Sequence, residues 1–308
     1  MKCGFICFFI WFSLPAHSQC GNLPVECEVM EQEFCDSKSV GLIETLTSEF
    51  SAGISPTDID VLYLAALTGD ENSQFVLGSD LNSVSSNDYS RNICWLMLAK
   101  GSGITEADHF IGKIYSDSKS NLYDFDKAVR HYETSTKSYN EFYSDSYFDL
   151  GLLYQSNSYS DVNESIIINN YEMASDLGHP EASYNLGVKY NKKSDSHSIK
   201  KAIEYYERSI NSNREDLKGS VLPSAYYNLG LIYLTEDDYA DPQLALNYFK
   251  TSLELGIDDA AYYLGHIYAL GVGVKLDKEL AKKYFSTLAD KGDGASINAM
   301  SEYGYYSN

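Results

Sequence analysis

The chain has 308 residues, 44% of them hydrophobic, and sets 44 Asp and Glu against 23 Lys and Arg for a formal net charge of −21. So acidic a chain, with its carboxylates spread along its whole length, repels phosphate backbones and anionic lipid headgroups, which disfavours nucleic acid and the membrane surface as partners. A basic protein or peptide suits the charge; the bland alternative is a solvated acidic surface that serves solubility.

Residues 1–18 hold Lys2, an apolar run from Cys3 to Leu14, then Pro15, Ala16, His17 and Ser18, and read as a secretory signal peptide. The run is short for a membrane span, and no later run approaches that length. His17 and Gln19 break the small-residue box that a lipidated Cys20 would follow, which argues against a lipoprotein. The mature chain is therefore expected in the periplasm or outside the cell, with no membrane insertion after signal cleavage. It keeps Cys20, Cys27, Cys35 and Cys94, enough for two disulfides in three connectivities. Cys27 and Cys35 suit a local bridge, while Cys94, in the apolar stretch ICWLML, fits a buried thiol as well as a bridge. No C-x-x-C and no spaced His pair accompanies them, so no metal site is expected. Residues 19–38 read as a cysteine-bearing N-terminal extension.

From residue 39 to the end the sequence repeats. GLIETLTSEF from Gly41 and TDIDVLYLAALTG from Thr57 read as a degenerate first hairpin, with Leu62, Ala65, Ala66 and Gly69 in the register of a second helix. Then an anchor recurs: a small residue, three free positions, Leu or Ile, Gly, two free positions, Tyr. Its copies open at Ser73, Ala107, Ser146, Ala182, Ala225 and Ala260, and their glycines are Gly78, Gly112, Gly151, Gly187, Gly230 and Gly265. Five copies place Tyr three residues after the glycine, and the first has Leu81. A second motif follows as KAVRHY from Lys127, KAIEYY from Lys201, LALNYF from Leu244 and LAKKYF from Leu280, each an amphipathic helix with one buried stripe. Each copy is thus a helical hairpin, and the spacing predicts hairpins over 70–103, 104–144, 145–178, 179–220, 221–256 and 257–292. A helical glycine costs about 1 kcal/mol against alanine, so its recurrence needs a steric reason, and close approach of a neighbouring backbone supplies one. Pro180 and Pro223 read as standing just ahead of first helices, and SINAMSEYGYY reads as a capping helix.

These residues resemble the SEL-1-like repeat family, relatives of the tetratricopeptide repeats. The resemblance is strongest in AAYYLGHIYALGVGVKLDKELAKKYFSTLADKG from Ala260, with its Gly271, Gly273, Val274 loop and closing Gly292, and it covers roughly residues 58–300. It implies an all-α fold, a right-handed α-solenoid of about seven antiparallel helix hairpins plus the cap, and a role in protein binding.

No catalytic pattern is found: no G-x-S-x-G, no H-E-x-x-H, no phosphate loop. The histidines after the leader, His109, His131, His179, His197 and His266, fall at unrelated positions. The chain reads as a non-enzyme with no cofactor. Some relatives with cysteine pairs in every repeat bind or hydrolyse β-lactams, but here that spacing occurs only at Cys27 and Cys35, so a β-lactam or cell-wall hydrolase is the weakest alternative. Two positions into each anchor stands Phe75, His109, Phe148, Tyr184, Tyr227 or Tyr262, a ladder of rings that reads as inter-repeat packing. The next position varies, as Val76, Phe110, Asp149, Asn185, Asn228 and Tyr263, and helical geometry is expected to turn it away from the Leu and Tyr stripe. In tetratricopeptide repeats this neighbourhood faces the ligand groove. By that resemblance Asp149, Asn185, Asn228, Tyr263 and His266 are the expected partner contacts. The expected role is a scaffold or adaptor of the cell envelope, with an immunity protein that neutralises a secreted toxin, for example of a type VI secretion system, as the alternative.

Overall fold

The computed structural model describes Leu62, Ala65, Ala66 and residues 69–83, 89–156 and 164–305. The expected signal peptide, the extension over 19–38, the Cys27 and Cys35 pair and the helix from Gly41 lie outside these residues. Among the described residues there are thirteen α-helices and no strand. The chain divides into two compact units, Met1–Ser160 and Asp161–Asn308.

In the first unit α1 (Glu71–Ser79) packs on α2 (Ser90–Gly101), and α3 (Ala107–Ser116) on α4 (Phe125–Ser135), with α5 (Tyr143–Ser156) against α4. Leu62, Ala65 and Ala66 are helical, and buried Ala66 accepts a hydrogen bond from Gln74 Nε2 at 3.1 Å, in keeping with a further helix before α1. The second unit holds α6 (Glu164–Asp176), the pairs α7 (Pro180–Asn191) with α8 (Ser196–Ile210), α9 (Glu215–Thr235) with α10 (Pro242–Glu254) and α11 (Ala260–Leu270) with α12 (Lys278–Ala289), and α13 (Gly294–Glu302) packed on α12. Ala299, Met300 and Tyr305 bury the inner side of that cap against Ala281 and Phe285.

Four second helices, α4, α8, α10 and α12, start in one way. Asp124, Asp195, Asp241 and Asp277 each accept the backbone N–H three residues on, at 2.9–3.0 Å, and so satisfy one of the unpaired donors of the first turn. Asp70 and Asp293 do the same for α1 and α13 at 2.7 Å, and His179 Nδ1 does it for α7 at 3.3 Å. Pro180 and Pro242 occupy the first turns of α7 and α10, where a missing N–H costs nothing.

Pro223 departs from expectation. It lies inside α9, which begins at Glu215 and runs for 21 residues. The helix's early turns bury no residue before Ala225. They are held by polar contacts: Lys218 with Glu215 at 2.7 Å, Arg214 with Asp216 at 2.9 Å, and Ser220 with Glu181 of α7.

The recurring glycines have a different partner from the one expected. An added Cβ would stand 2.7 Å from the ring of Tyr132 at Gly112, 2.7 Å from Tyr206 at Gly187, 2.9 Å from Phe249 at Gly230 and 2.6 Å from Phe285 at Gly265. A ring of the second helix, not a backbone, fills the notch. In α1 backbone comes close as well, where Gly78 would meet Leu96 Cγ at 2.6 Å and its N at 2.9 Å. The residue just before each ring has its own place: His131, Tyr205, Tyr248 and Tyr284 stack on Tyr115, Tyr190, Tyr233 and Tyr268 at 5.6–5.9 Å. Two consecutive residues of the second helix thus pair with the glycine and the tyrosine of the first, and this locks the register of these four hairpins. The G-x-G-V loop packs between hairpins, since Gly273, at φ 67°, would place a Cβ 2.7 Å from Pro242.

Candidate protein-binding face

The variable anchor position does not turn away from the core. In the first unit the Tyr132 hydroxyl donates to Asp149, and their burial together holds that phenol's pKa well up, through desolvation first and the carboxylate second. In the second unit Asn228 Nδ2 donates to the hydroxyls of Tyr206 at 3.2 Å and Tyr184 at 3.4 Å. Tyr263 stacks on Phe249, with centroids 5.0 Å apart and planes at 4°. Each of these residues meets the ring that fills the glycine notch of the preceding hairpin. The choice follows the ring: a hydrogen-bonding Asp or Asn meets Tyr132 or Tyr206, and an aromatic meets Phe249. Much of the variation between copies is therefore packing chemistry. The signal was present in the sequence, as the last residue of KAVRHY, KAIEYY and LALNYF.

Asn185 differs from the others. It is half-buried on α7, and its amide makes no hydrogen bond among the described residues. His266 is drawn into the cap: Nδ1 lies 2.9 Å from the Tyr303 hydroxyl, and Tyr262 and Phe285 flank the ring at 4.5 and 5.1 Å. Burial lowers its pKa, and its Nε2 is buried without a partner.

The ladder residues pack, but mainly within their own hairpins rather than between repeats. Tyr184, Tyr227 and Tyr262 lie 5.7, 5.9 and 6.0 Å from Tyr206, Phe249 and Phe285 of the second helix that follows each, while His109 and Phe148 are buried. In the second unit, α7, α9 and α11 still leave half-buried Tyr184, Asn185, Tyr227, Asn228 and Tyr263 on one side, with exposed Asp259 one turn before Tyr263. Asn228 ties α9 to α7, and Tyr227 meets Tyr263 at 5.9 Å to tie α11 to α9.

The first unit contains two buried polar clusters. His109 Nδ1 lies 3.0 Å from Ser146 Oγ, which meets Ser135 Oγ at 2.7 Å, and His109 Nε2 is 3.9 Å from Asp149. A serine, a histidine and an aspartate thus gather, but Ser146 is 0% exposed and no substrate reaches its oxygen. Burial pushes the His109 pKa down to about 3, so the ring is a neutral packing element, stacked on Phe142 at 5.0 Å. Asp108, also buried, receives Lys100 and His131, each at 2.7 Å. Desolvation raises its pKa, yet the hydrogen bonds from His131 and Lys100 outweigh it and hold the carboxyl below its usual range. These contacts join α2, α3 and α4. A recess of about 290 Å³ beside Tyr132 and Asp149, lined also by Ser116, Leu152, Gln155 and Ser156, collects no further titratable group.

Three consecutive segments of the second unit, residues 180–213, 223–257 and 258–293, match the Sel1 repeat family. Residues 180–293 are Sel1 repeats. Each match takes in one of the pairs α7 with α8, α9 with α10 and α11 with α12. Among solved structures, the protective antigen c5321 of uropathogenic Escherichia coli strains, which displays an SLR fold, is 24% identical with a TM-score of 0.58, over 85% of this chain and 54% of its own. The chain thus spans about half the length of that protein. A Sel1 repeat protein from Oxalobacter formigenes is 23% identical with a TM-score of 0.53, over 73% of this chain and 86% of its own. At these identities the likeness is one of fold, and it supports a Sel1-type helical repeat architecture before residue 180 as well. No curated protein matches the sequence. Sel1 repeats generally mediate protein–protein interaction. Among the described residues no helix is long and apolar enough to cross a membrane.

Proposed function

We propose that this protein is an exported scaffold or adaptor that binds a protein or peptide through the side of α7, α9 and α11 bearing Asn185 and Asn228. The observation that carries the reading is the state of those side chains. Asn185 is half-buried, with no partner for its amide among the described residues, beside tyrosines whose packed rings are already ordered. Ordered aromatic groups bind with little loss of side-chain entropy, and an amide recognises an extended backbone through paired donor and acceptor. His266 is the weakest of the expected contacts, since its Nδ1 is engaged by Tyr303.

Export is supported by the leader-like run at residues 3–14 and by Cys94, which is buried on α2 and disulfide-bonded. Such bonds persist in oxidising compartments. A basic partner suits the net charge of −21.

The test is affinity capture from the native envelope fraction with the full chain and with an Asn185→Ala, Asn228→Ala double variant. The Asn228 hydrogen bonds contribute about 1 kcal/mol to stability, so the repeats stay folded and circular dichroism should be unchanged. A captured protein whose affinity falls at least tenfold in the variant supports the reading. Equal affinity for both chains sinks the site.

A further inference from the structure

We infer that Tyr227, Tyr263 and Asp259 form a subsite for one arginine or lysine side chain of the partner. The inference rests on the proposed binding face and adds to it the chemistry of a residue that the face must recognise.

The ring positions come first. Phe249 and Tyr263 are stacked, and Tyr227 stands 5.9 Å from each at 72–73°, so it lies across the edges of the pair. The Tyr227 and Tyr263 rings approach to 5.9 Å, so two phenols stand side by side and each hydroxyl oxygen can accept a hydrogen bond. Asp259 lies four residues before Tyr263, hence one turn away on the same side of α11, and its side chain caps no backbone N–H. Its charge reaches the Tyr227 phenol, where burial, the neighbouring Tyr263 phenol and this carboxylate together push the pKa well up.

Charge is the second argument. Cations of this chain cover tyrosines elsewhere: Lys201 lies 4.8 Å above Tyr190 and Lys250 5.7 Å from the centre of Tyr268. Among the described residues none covers Tyr227 or Tyr263. Asp258 is neutralised by Lys291, whereas its exposed neighbour Asp259 has no cationic partner among the described residues. The remaining group is one carboxylate, phenol oxygens and the electron-rich surface of aromatic rings, with no positive charge of its own. A guanidinium or ammonium group satisfies all three at once. A carboxylate or phosphate would be repelled.

The full chain carrying ring-¹³C tyrosine can be titrated with Ac-Gly-Arg-Gly-NH2 and with its neutral citrulline counterpart, the resonances of Tyr227 and Tyr263 being assigned from Tyr227→Phe and Tyr263→Phe spectra. The arginine peptide should shift those two resonances to saturation and the citrulline peptide should not. Asp259→Asn should weaken the effect about threefold to tenfold, while Asp258→Asn leaves it within twofold. Shifts spread evenly over the tyrosines, no shift at these two, or equal affinity in Asp259→Asn would overturn the subsite. A null peptide result beside a captured partner that still depends on Asn185 and Asn228 refutes the cation subsite alone. Loss of both dependences refutes the binding face with it.

Discussion

Alanine at Gly187 would plant a methyl where the Tyr206 ring now sits. The added Cβ would lie 2.7 Å from both Cδ1 and Cε1 of that ring, well inside contact distance, and Tyr206 is fully buried and cannot swing out. Overpacking of this kind costs about 1–3 kcal/mol. Against it stands a gain of about 1 kcal/mol for replacing a helical glycine. A control is available in the same unit. Gly219, exposed within α9, has nothing within 4 Å of an added methyl and an ordinary backbone angle, so Gly219→Ala should collect the gain alone. The difference between the two variants isolates the clash, at about 1–3 kcal/mol. Urea unfolding of both, followed by tyrosine fluorescence, measures it. If Gly187→Ala stabilises the protein as much as Gly219→Ala, the glycine has no steric role and the account of the hairpin register fails.

Asp277→Ala removes the cap on Leu280 N–H and should lower stability by about 1 kcal/mol in the same assay. His109 binds a proton in the unfolded chain near pH 6.5 but in the folded one only near 3, so it contributes full stability above 6.5 and loses it as the pH falls through that window. The loss is about 1.4 kcal/mol per pH unit, and His109→Asn should flatten the measured stability profile between about pH 6 and 4 by that slope. Asp108 is governed by its own charge: its folded pKa lies below the usual 3.8, so its pairing stabilises at neutral pH and fades as the pH falls through the lowered value. Asp108→Asn, which leaves Lys100 and His131 without their shared partner, should cost about 3 kcal/mol at pH 7 and progressively less in acid, and an equal cost at both ends would contradict the pairing.

The hairpins are legible in the sequence because their signal is local. Anchor and second motif each lie within a few turns of one helix, and the helix starts at Asp124, Asp195, Asp241 and Asp277 follow from ordinary capping chemistry. Structure and expectation part where two helices must be placed against each other. Gly187 has a clear cost in the sequence, but its beneficiary stands 19 residues later, and only the packed pair shows that the neighbour is the Tyr206 ring. Pro223 is deceptive because a proline close to an anchor resembles a helix start, whereas polar contacts by Arg214, Lys218 and Ser220 extend α9 upstream of it. The variable anchor position shows the widest gap. Periodicity turns Asn228 and Tyr263 away from the packed stripe, yet both contact the ring of the preceding hairpin, a relation across repeats that helical periodicity within one repeat cannot reveal. What survives as candidate recognition chemistry is narrower: the amide of Asn185, the rim of Tyr227 and Tyr263, and Asp259, which in the sequence alone is an ordinary solvated loop acid.

Photo-crosslinking of the captured partner tests the central claim most directly. A benzophenone amino acid placed singly at Asn185, Asn228 and Asp259 on the first-helix side, and at Lys200, Asn247 and Lys283 on the second helices, compares the two sides within the same repeats. The account predicts partner adducts from the first three positions and none from the other three. Adducts confined to the second-helix positions would place recognition on the opposite side and contradict it.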